Sequence, residues 1–295
     1  MLLYLIVASL LWSFSFGLIK ENLAGYDPLL VAFLRLAISA AAFLPWLVRT
    51  RLAPGLAGRA AALGALQFGT MYALYIASYR YLPAYGVAFF TIFTPLYVIL
   101  LDDLIRRRWI TRHLLAALLA VAGGGLVLAR GVTGGGAATG IILLQGANLC
   151  FAAGQLGYRH LVRGVAVARP PEAALLGWMY LGSVAWTGPL ALVLGRGAAP
   201  QGGNAWLVLL YLGLVPTGLG FYLWNKGAAR APAGALAVCN NLKIPLAVLV
   251  AWLVFGEQAA YARVLVGLVI IVAGLFVADS RSPATATGRL DEGGK

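Results

Sequence analysis

Runs of about twenty apolar residues recur along this chain, and they constrain its fold more than any other feature of the sequence. A helix rises 1.5 Å per residue, so ~20 residues cross a hydrocarbon core ~30 Å thick. Ten such runs can be marked, at residues 2–20, 28–48, 60–80, 84–105, 114–130, 140–162, 172–195, 204–228, 232–255 and 262–279. The composition agrees: 62% of residues are hydrophobic and 11% charged, against roughly 25% charged in soluble domains. The expected fold is therefore an all-α integral membrane protein with ten transmembrane helices. Connections are short and leave no room for a soluble domain. Residues 281–295 are polar and are expected to form a disordered tail. The first run has no basic leader and no small-residue cleavage site, so it is expected to remain as a helix.

A net charge of +13 invites a nucleic-acid reading, but its placement points to a membrane instead. With a cytoplasmic N-terminus, fifteen Lys and Arg residues fall in inner loops and the tail, among them Arg49, Arg59, Arg106, Arg107, Arg108 and Arg163. Five fall outside: Lys20, Arg80, Arg130, Arg196 and Arg263. That asymmetry predicts both termini in the cytoplasm, on the multi-pass pattern of a bacterial inner-membrane protein. No nucleic-acid partner is expected. Cys150 and Cys239 both lie in apolar runs, too few for a disulfide framework or a metal site.

The two halves resemble each other. "YLPAYGVAFFTIFTPLYVIL" (81–100) parallels "RAPAGALAVCNNLKIPLAVLV" (230–250), matching Pro83 to Pro232 and Pro95 to Pro245. "LGALQFGTMYALY" (63–75) parallels "LGLVPTGLGFYLW" (212–224), and "LLAVAGGGLVLA" (118–129) parallels "VIIVAGLFVADS" (269–280). A separation held near 150 residues divides the chain into two copies, residues 1–130 and 140–280. Five helices per copy is an odd number, so the second copy enters the membrane from the opposite face. Inverted repeats of this kind build secondary transporters, with a substrate site at mid-membrane beside interrupted helices. Pro95 and Pro245 are the expected helix breaks. Each removes a backbone donor, which should free the carbonyls of Thr91 and Asn241, and lipid cannot satisfy those groups.

Against that background, Lys243 is conspicuous. It lies halfway along the ninth run, with Asn240 one turn away and Asn241 beside it. A lysine at the bilayer centre costs roughly 2.5–3.5 kcal/mol on insertion scales, and such residues are usually functional. A structural lysine bonded to the freed carbonyls is the competing reading. The sixth run carries Gln145, Asn148, Gln155 and Arg159 on one helical face, suited either to helix–helix hydrogen bonding or to an aqueous path. The third carries Phe68, Tyr72, Tyr75 and Tyr79, and the eighth Phe221, Tyr222, Trp224 and Asn225. Both sets suit packing or the walls of a pocket for a ring, with Tyr79 assignable to an interfacial belt. Arg35 lies two turns inside its span, within reach of snorkelling, and a substrate role for it stays open. No Asp or Glu sits mid-span, so a carboxylate relay or sodium cage is hard to build and an anionic or zwitterionic substrate is favoured. No enzyme motif, metal cluster or cofactor site is present: His113 and His160 stand at span ends, and neither HExxH nor GxSxG occurs.

Ten helices in two inverted copies, each with a proline in its fourth helix, resemble the EamA branch of the drug/metabolite transporter superfamily. Within that branch, several stretches are similar to the single-component biotin-transporter group of bacteria. These are "LLWSFSFGLIKENLAG" (10–25), "FTIFTPLYVILLDDLIRRR" (90–108), "LLQGANLCFAAGQLGYRHL" (143–161) and "GLGFYLWNKGAARAPAGALAVCNN" (218–241). The resemblance implies alternating-access uptake of biotin with no cofactor. Lys243 would take the carboxylate, while Asn148, Gln155, Asn225, Asn240 and Asn241 would meet the ureido ring. Tyr72, Tyr75, Phe93, Tyr97 and Trp224 would line the apolar part. Two alternatives remain open: an amino acid exporter that uses the same lysine, and a membrane binding protein that transports nothing. The partners expected are a small-molecule substrate and the lipid bilayer, and the oligomeric state is open, a monomer being sufficient.

Overall fold

A computed structural model describes residues 2–107, 136–163, 170–228, 242–243, 246–248 and 250–256, with scattered positions in 111–122 and 262–273. The described residues are helical, without strands. Seven helices are long and apolar enough to cross a membrane: α1 (Leu2–Leu23), α2 (Pro28–Arg49), α3 (Pro54–Ser78), α4 (Ala84–Ile105), α5 (Ala137–Val162), α6 (Glu172–Leu194) and α7 (Gly202–Gly227). They coincide with the expected runs at 2–20, 28–48, 60–80, 84–105, 140–162, 172–195 and 204–228, to within a few residues at most ends. The third is the exception: its helix starts at Pro54, where proline at the first turn has no donor to waste. The expected fifth, ninth and tenth helices, the copy boundary near 130–140 and the tail lie wholly or largely outside the described residues.

Three of the seven helices are not regular. α3 passes through a π-helical segment at Ala65–Thr70, and α7 through another at Gly213–Leu219 that contains Pro216. α4 tightens into a 3-10 turn at Thr91–Phe93 before Pro95 opens its second half. The packing order follows the chain's small residues. α2 lies along α6, α3 against both α6 and α5, and α1 against α7. At the α3–α6 crossing, Gly64 faces the backbone of Met179 and Gly182 faces that of Ala61. A methyl at either would strike main chain, so these helices approach as closely as small-residue pairs in membranes do. The outward faces carry exposed Leu2, Leu44, Ile142, Leu192 and Leu207, as lipid requires.

One end of the bundle is clamped by Asp27. Its carboxylate caps α2, accepting from the Leu29 and Leu30 amides at 3.0 Å each. The other oxygen accepts from the amides of Arg196 at 3.1 Å and Gly197 at 2.9 Å, while the Asp27 amide donates to the Ala198 carbonyl at 2.9 Å. Burial pushes this carboxyl upward, but the bonds from Leu30, Gly197, Arg196 and Leu29 outweigh it and hold the group below its ordinary value. A lowered folded value means the stabilisation is complete above the unfolded value and fades as pH falls through the folded one. Asp27→Ala should therefore cost about 1–3 kcal/mol near neutrality. Thermal unfolding in detergent should show the gap between wild type and variant closing as pH drops below about 4.

Candidate functional site

Helices α1–α5 and α7, together with Lys243, surround an open-mouthed cavity of about 580 Å³, space continuous with the mouth included. α1 contributes Trp12, Ser15 and Phe16, and α2 contributes Arg35. α3 supplies Met71, Tyr72 and Tyr75, and α4 supplies Thr91 and Thr94. Ala147, Asn148 and Phe151 come from α5, Phe221 from α7, and Lys243 from the C-terminal stretch. The walls are aromatic, the remaining polar groups are neutral hydroxyls and one amide, and two cations lie among them. Among the described residues no Asp or Glu lines the cavity.

Neither cation reaches for water. Lys243 is 8% exposed, and its Nζ sits 5.2 Å from the Trp12 ring centre. Arg35 is 2% exposed, so the snorkelling allowed by its sequence position does not occur. Its Nε donates to Thr217 Oγ1 at 2.6 Å, and its guanidinium lies over the Tyr72 ring at 4.2 Å. Its Nη1 is buried without a hydrogen-bond partner among the described residues. The π-segment of α7 is what fixes this corner. Thr217 Oγ1 also pairs with the Tyr72 hydroxyl at 3.1 Å, and the Thr217 carbonyl accepts from Tyr180 at 2.7 Å. Trp12 Nε1 donates to the Pro216 carbonyl at 2.8 Å, and Ser39 donates to that of Gly213 at 2.8 Å. Carbonyls of the irregular helix thus also accept from side chains of α1, α2 and α6.

In α4 the break at Pro95 is satisfied differently from the sequence expectation. The Thr91 carbonyl, expected to be free, accepts the Thr94 amide within the 3-10 turn. The carbonyl of Phe90, at the start of that turn, also accepts from Asn148 Nδ2 at 2.9 Å. Asn148 also donates to Gln145 Oε1 at 3.1 Å and accepts from Thr94 Oγ1 at 3.2 Å. One amide therefore joins α5 to both sides of the α4 break.

The structure brings Lys243, Asn148, Tyr72 and Tyr75 together and leaves several expected lining residues elsewhere. Phe93 is buried against Phe90, ring centres 6.3 Å apart. Trp224 stands one layer back, 5.2 Å from Trp12. Tyr97, Gln155 and Asn225 are half-buried and do not line the cavity, and Arg159 is exposed. Tyr79, assignable by position to an interfacial belt, is 0% exposed; its hydroxyl pairs with Tyr75 at 2.7 Å and its carbonyl accepts from Lys20 at 2.9 Å. Asn240, Asn241 and Pro245 lie outside the described residues. Trp12, Ser15, Phe16, Thr91, Thr94 and Phe151 were not expected. Trp12 with Ser15 and Phe16, at spacings of three and four on an apolar helix, is the pattern that could have found the first group.

Comparison with known proteins bears on this site. The model of the EamA-like transporter family matches residues 1–130 and again residues 138–278. A Pseudomonas aeruginosa protein named "Probable biotin transporter" is 39% identical over 277 residues, covering 93% of this chain and 96% of its own. The "Biotin transporter" of Escherichia coli is 34% identical over 284 residues, covering 92% and 91%. That of Salmonella typhimurium is 35% identical over 288 residues with the same coverage. A solved crystal structure with 22% identity superposes with a TM-score of 0.66 over 94% of this chain and 96% of that one, a likeness of fold.

Replacing Asn148 with Leu should remove the side-chain bonds to Phe90, Gln145 and Thr94 inside the bundle and leave their polar groups short of a partner. A buried unsatisfied group costs about 1–3 kcal/mol, so the variant should melt earlier in detergent than wild type. An Asn148→Leu protein as stable as wild type would mean that the α4 break is satisfied without this amide.

Proposed function

The chain belongs to the EamA-like transporter family, and on that premise we propose that it is a secondary transporter of a small carboxylate-bearing metabolite, biotin before others, taken up by alternating access. The observation that carries this reading is the cavity itself: two buried cations and neutral hydrogen-bonding groups between aromatic walls, with no carboxylate among the described lining. An acid with an apolar body fits such a lining. An amino acid would bring an ammonium to a site already holding two positive charges. Relatives that align over more than nine-tenths of their length bear the name of biotin transporters, which supports the substrate. In this reading Lys243 takes the carboxylate, with Asn240 and Asn241 orienting the polar head beside a break at Pro245.

Alternating access needs two bodies that move about the site. Ten helices in two inverted copies, 1–130 and 140–280, provide them. Supporting this are the two successive matches of the family model and the π-segments at Ala65–Thr70 and Gly213–Leu219, which fall on stretches that match between the halves. The charge asymmetry supports cytoplasmic termini in a bacterial inner membrane. Single cysteines at Gly25, Gly203 and Gly55, where an added side chain meets nothing, should report this in a background with Cys150 and Cys239 replaced by Ala. Impermeant thiol reagents in intact cells should label the first two and spare the third; the opposite pattern reverses the orientation.

Purified protein in liposomes should show saturable biotin counterflow, and phenylalanine or methionine should not replace biotin. Binding without exchange would indicate a membrane binding protein instead, and better exchange of an amino acid would favour the exporter. Removing one partner of a buried charge pair costs ~3–5 kcal/mol, so Lys243→Ala should weaken biotin transport by roughly a hundredfold or more, at 1.4 kcal/mol per tenfold. Biotin methyl ester has no charge to lose and should discriminate far less between wild type and variant. Equal losses for acid and ester, with a drop in folded yield, would make the lysine structural.

A further inference from the structure

Lys243 accounts for one of the two cations in the cavity; the other is Arg35, for which the carboxylate leaves no evident partner. Three observations bear on its role. Its guanidinium is fixed from two directions, with Nε on Thr217 at 2.6 Å and one face on Tyr72 at 4.2 Å. It lines the cavity, yet Nη1 has no hydrogen-bond partner among the described residues. Among the described residues no carboxylate lines the cavity to pair with it. A salt-bridge role within the fold would require such a partner. A packing role would not need a buried donor left unspent, which native interiors rarely tolerate.

The two cations are held in different ways, and this assigns them to different poles of a ligand. Lys243 is a point charge on a flexible stem, its Nζ 5.2 Å from the Trp12 ring, suited to a carboxylate at the end of a mobile chain. Arg35 is a planar donor locked in place, with its Nε already engaged, so what remains is a short in-plane edge of Nη donors. The Tyr72 hydroxyl is tied to the same Thr217 Oγ1, so the platform under the guanidinium is fixed too. We infer that Arg35 is a specificity-determining residue that donates to the neutral carbonyl oxygen at the polar head of the substrate, the ureido oxygen if the substrate is biotin. This rests on the transport reading above. A fixed cation there would also reject a head group that carries its own positive charge or offers only donors.

The test uses counterflow into liposomes by the full-length protein, with biotin, biotin methyl ester and 2-iminobiotin as competitors. Iminobiotin replaces the carbonyl oxygen with a protonated nitrogen, turning an acceptor into a charged donor while keeping the ring and the acid. Wild type should prefer biotin over iminobiotin by at least about tenfold. Arg35→Gln should shrink that preference markedly while keeping the preference of wild type for the acid over the ester. Arg35→Lys, which keeps the charge but not the planar fork, should restore the rejection of iminobiotin without restoring full biotin affinity. Lys243→Ala should give the converse pattern, losing the acid–ester preference and keeping the head-group preference. Equal competition by iminobiotin in wild type would overturn the assignment without any variant. An acid–ester preference lost in Arg35→Gln would do so too, making Arg35 the carboxylate receptor. Absence of biotin counterflow in wild type would overturn the biotin reading and this assignment together, whereas biotin counterflow with unchanged head-group preference in a folded Arg35→Gln protein overturns the assignment alone.

Discussion

In a bilayer no backbone polar group can turn to solvent, and this constraint organises the structure around its three irregular segments. A π-helical or 3-10 stretch exchanges some regular bonds for others and turns carbonyls toward neighbouring helices. In water their second lone pairs would be hydrated; here side chains of other helices serve them. The donors are Asn148 for Phe90, Trp12 for Pro216, Tyr180 for Thr217 and Ser39 for Gly213. Each comes from a different helix than the carbonyl it serves. The irregular segments therefore act as the points at which α1, α2, α5 and α6 are tied to α4 and α7, and the cavity lies among those ties. Among the described residues the cavity lies where imperfect helices turn polar groups inward.

Thr217 shows how one residue spreads that effect. Its carbonyl holds Tyr180, and its hydroxyl is shared by Arg35 and Tyr72. Arg35 in turn lies on Tyr72. A donor on α2, a hydroxyl on α3 and another on α6 thus converge on a single turn of α7. Removing the Thr217 side chain would release both the cation and its platform, whereas removing Tyr180 would release only a carbonyl. Buried networks of this kind are worth more than their separate bonds when fully satisfied. Among the described residues, Nη1 of Arg35 is a buried donor of this cluster without a hydrogen-bond partner, and it belongs to a residue that lines the cavity.

Much of the helical framework was legible in the sequence because a span is a one-dimensional property: length and apolarity declare it before any contact forms. Lys243 was legible for the same reason, since a mid-span ammonium is anomalous wherever its helix packs. Arg35 was not. Its depth in the span permits either snorkelling or burial, and the choice is made by Thr217, 182 residues away. The Thr91 expectation failed at a finer level. Counting four residues back from a proline assumes a regular helix, and the 3-10 turn instead gives the Thr91 carbonyl the Thr94 amide. Aromatic stripes were the least legible, because Tyr72 faces the cavity while Phe68, on the same face of the same helix, stacks on Tyr180. Spacing gives the face of a helix but not what the neighbouring helix puts opposite it.

The means by which two buried cations are held bears on how such a site can work. A carboxylate partner would hold either one firmly, and a substrate acid would then have to displace an ion pair formed in a low dielectric. Among the described residues no Asp or Glu lines this cavity, and ring faces lie against both cations, Tyr72 at 4.2 Å from Arg35 and Trp12 at 5.2 Å from Lys243. A cation–π contact contributes about 0.5–2 kcal/mol, enough to offset part of the desolvation but well short of a charge pair. The rings also cannot neutralise the cation, so its field stays directed at the cavity. On the proposed transport reading, a substrate carboxylate would meet a charge that is already positioned. The same rings present the apolar surface that a ring-bearing acid would bury. Replacing either ring by a carboxylate would stabilise its cation further and weaken the site, because the strongest available anion would then belong to the protein.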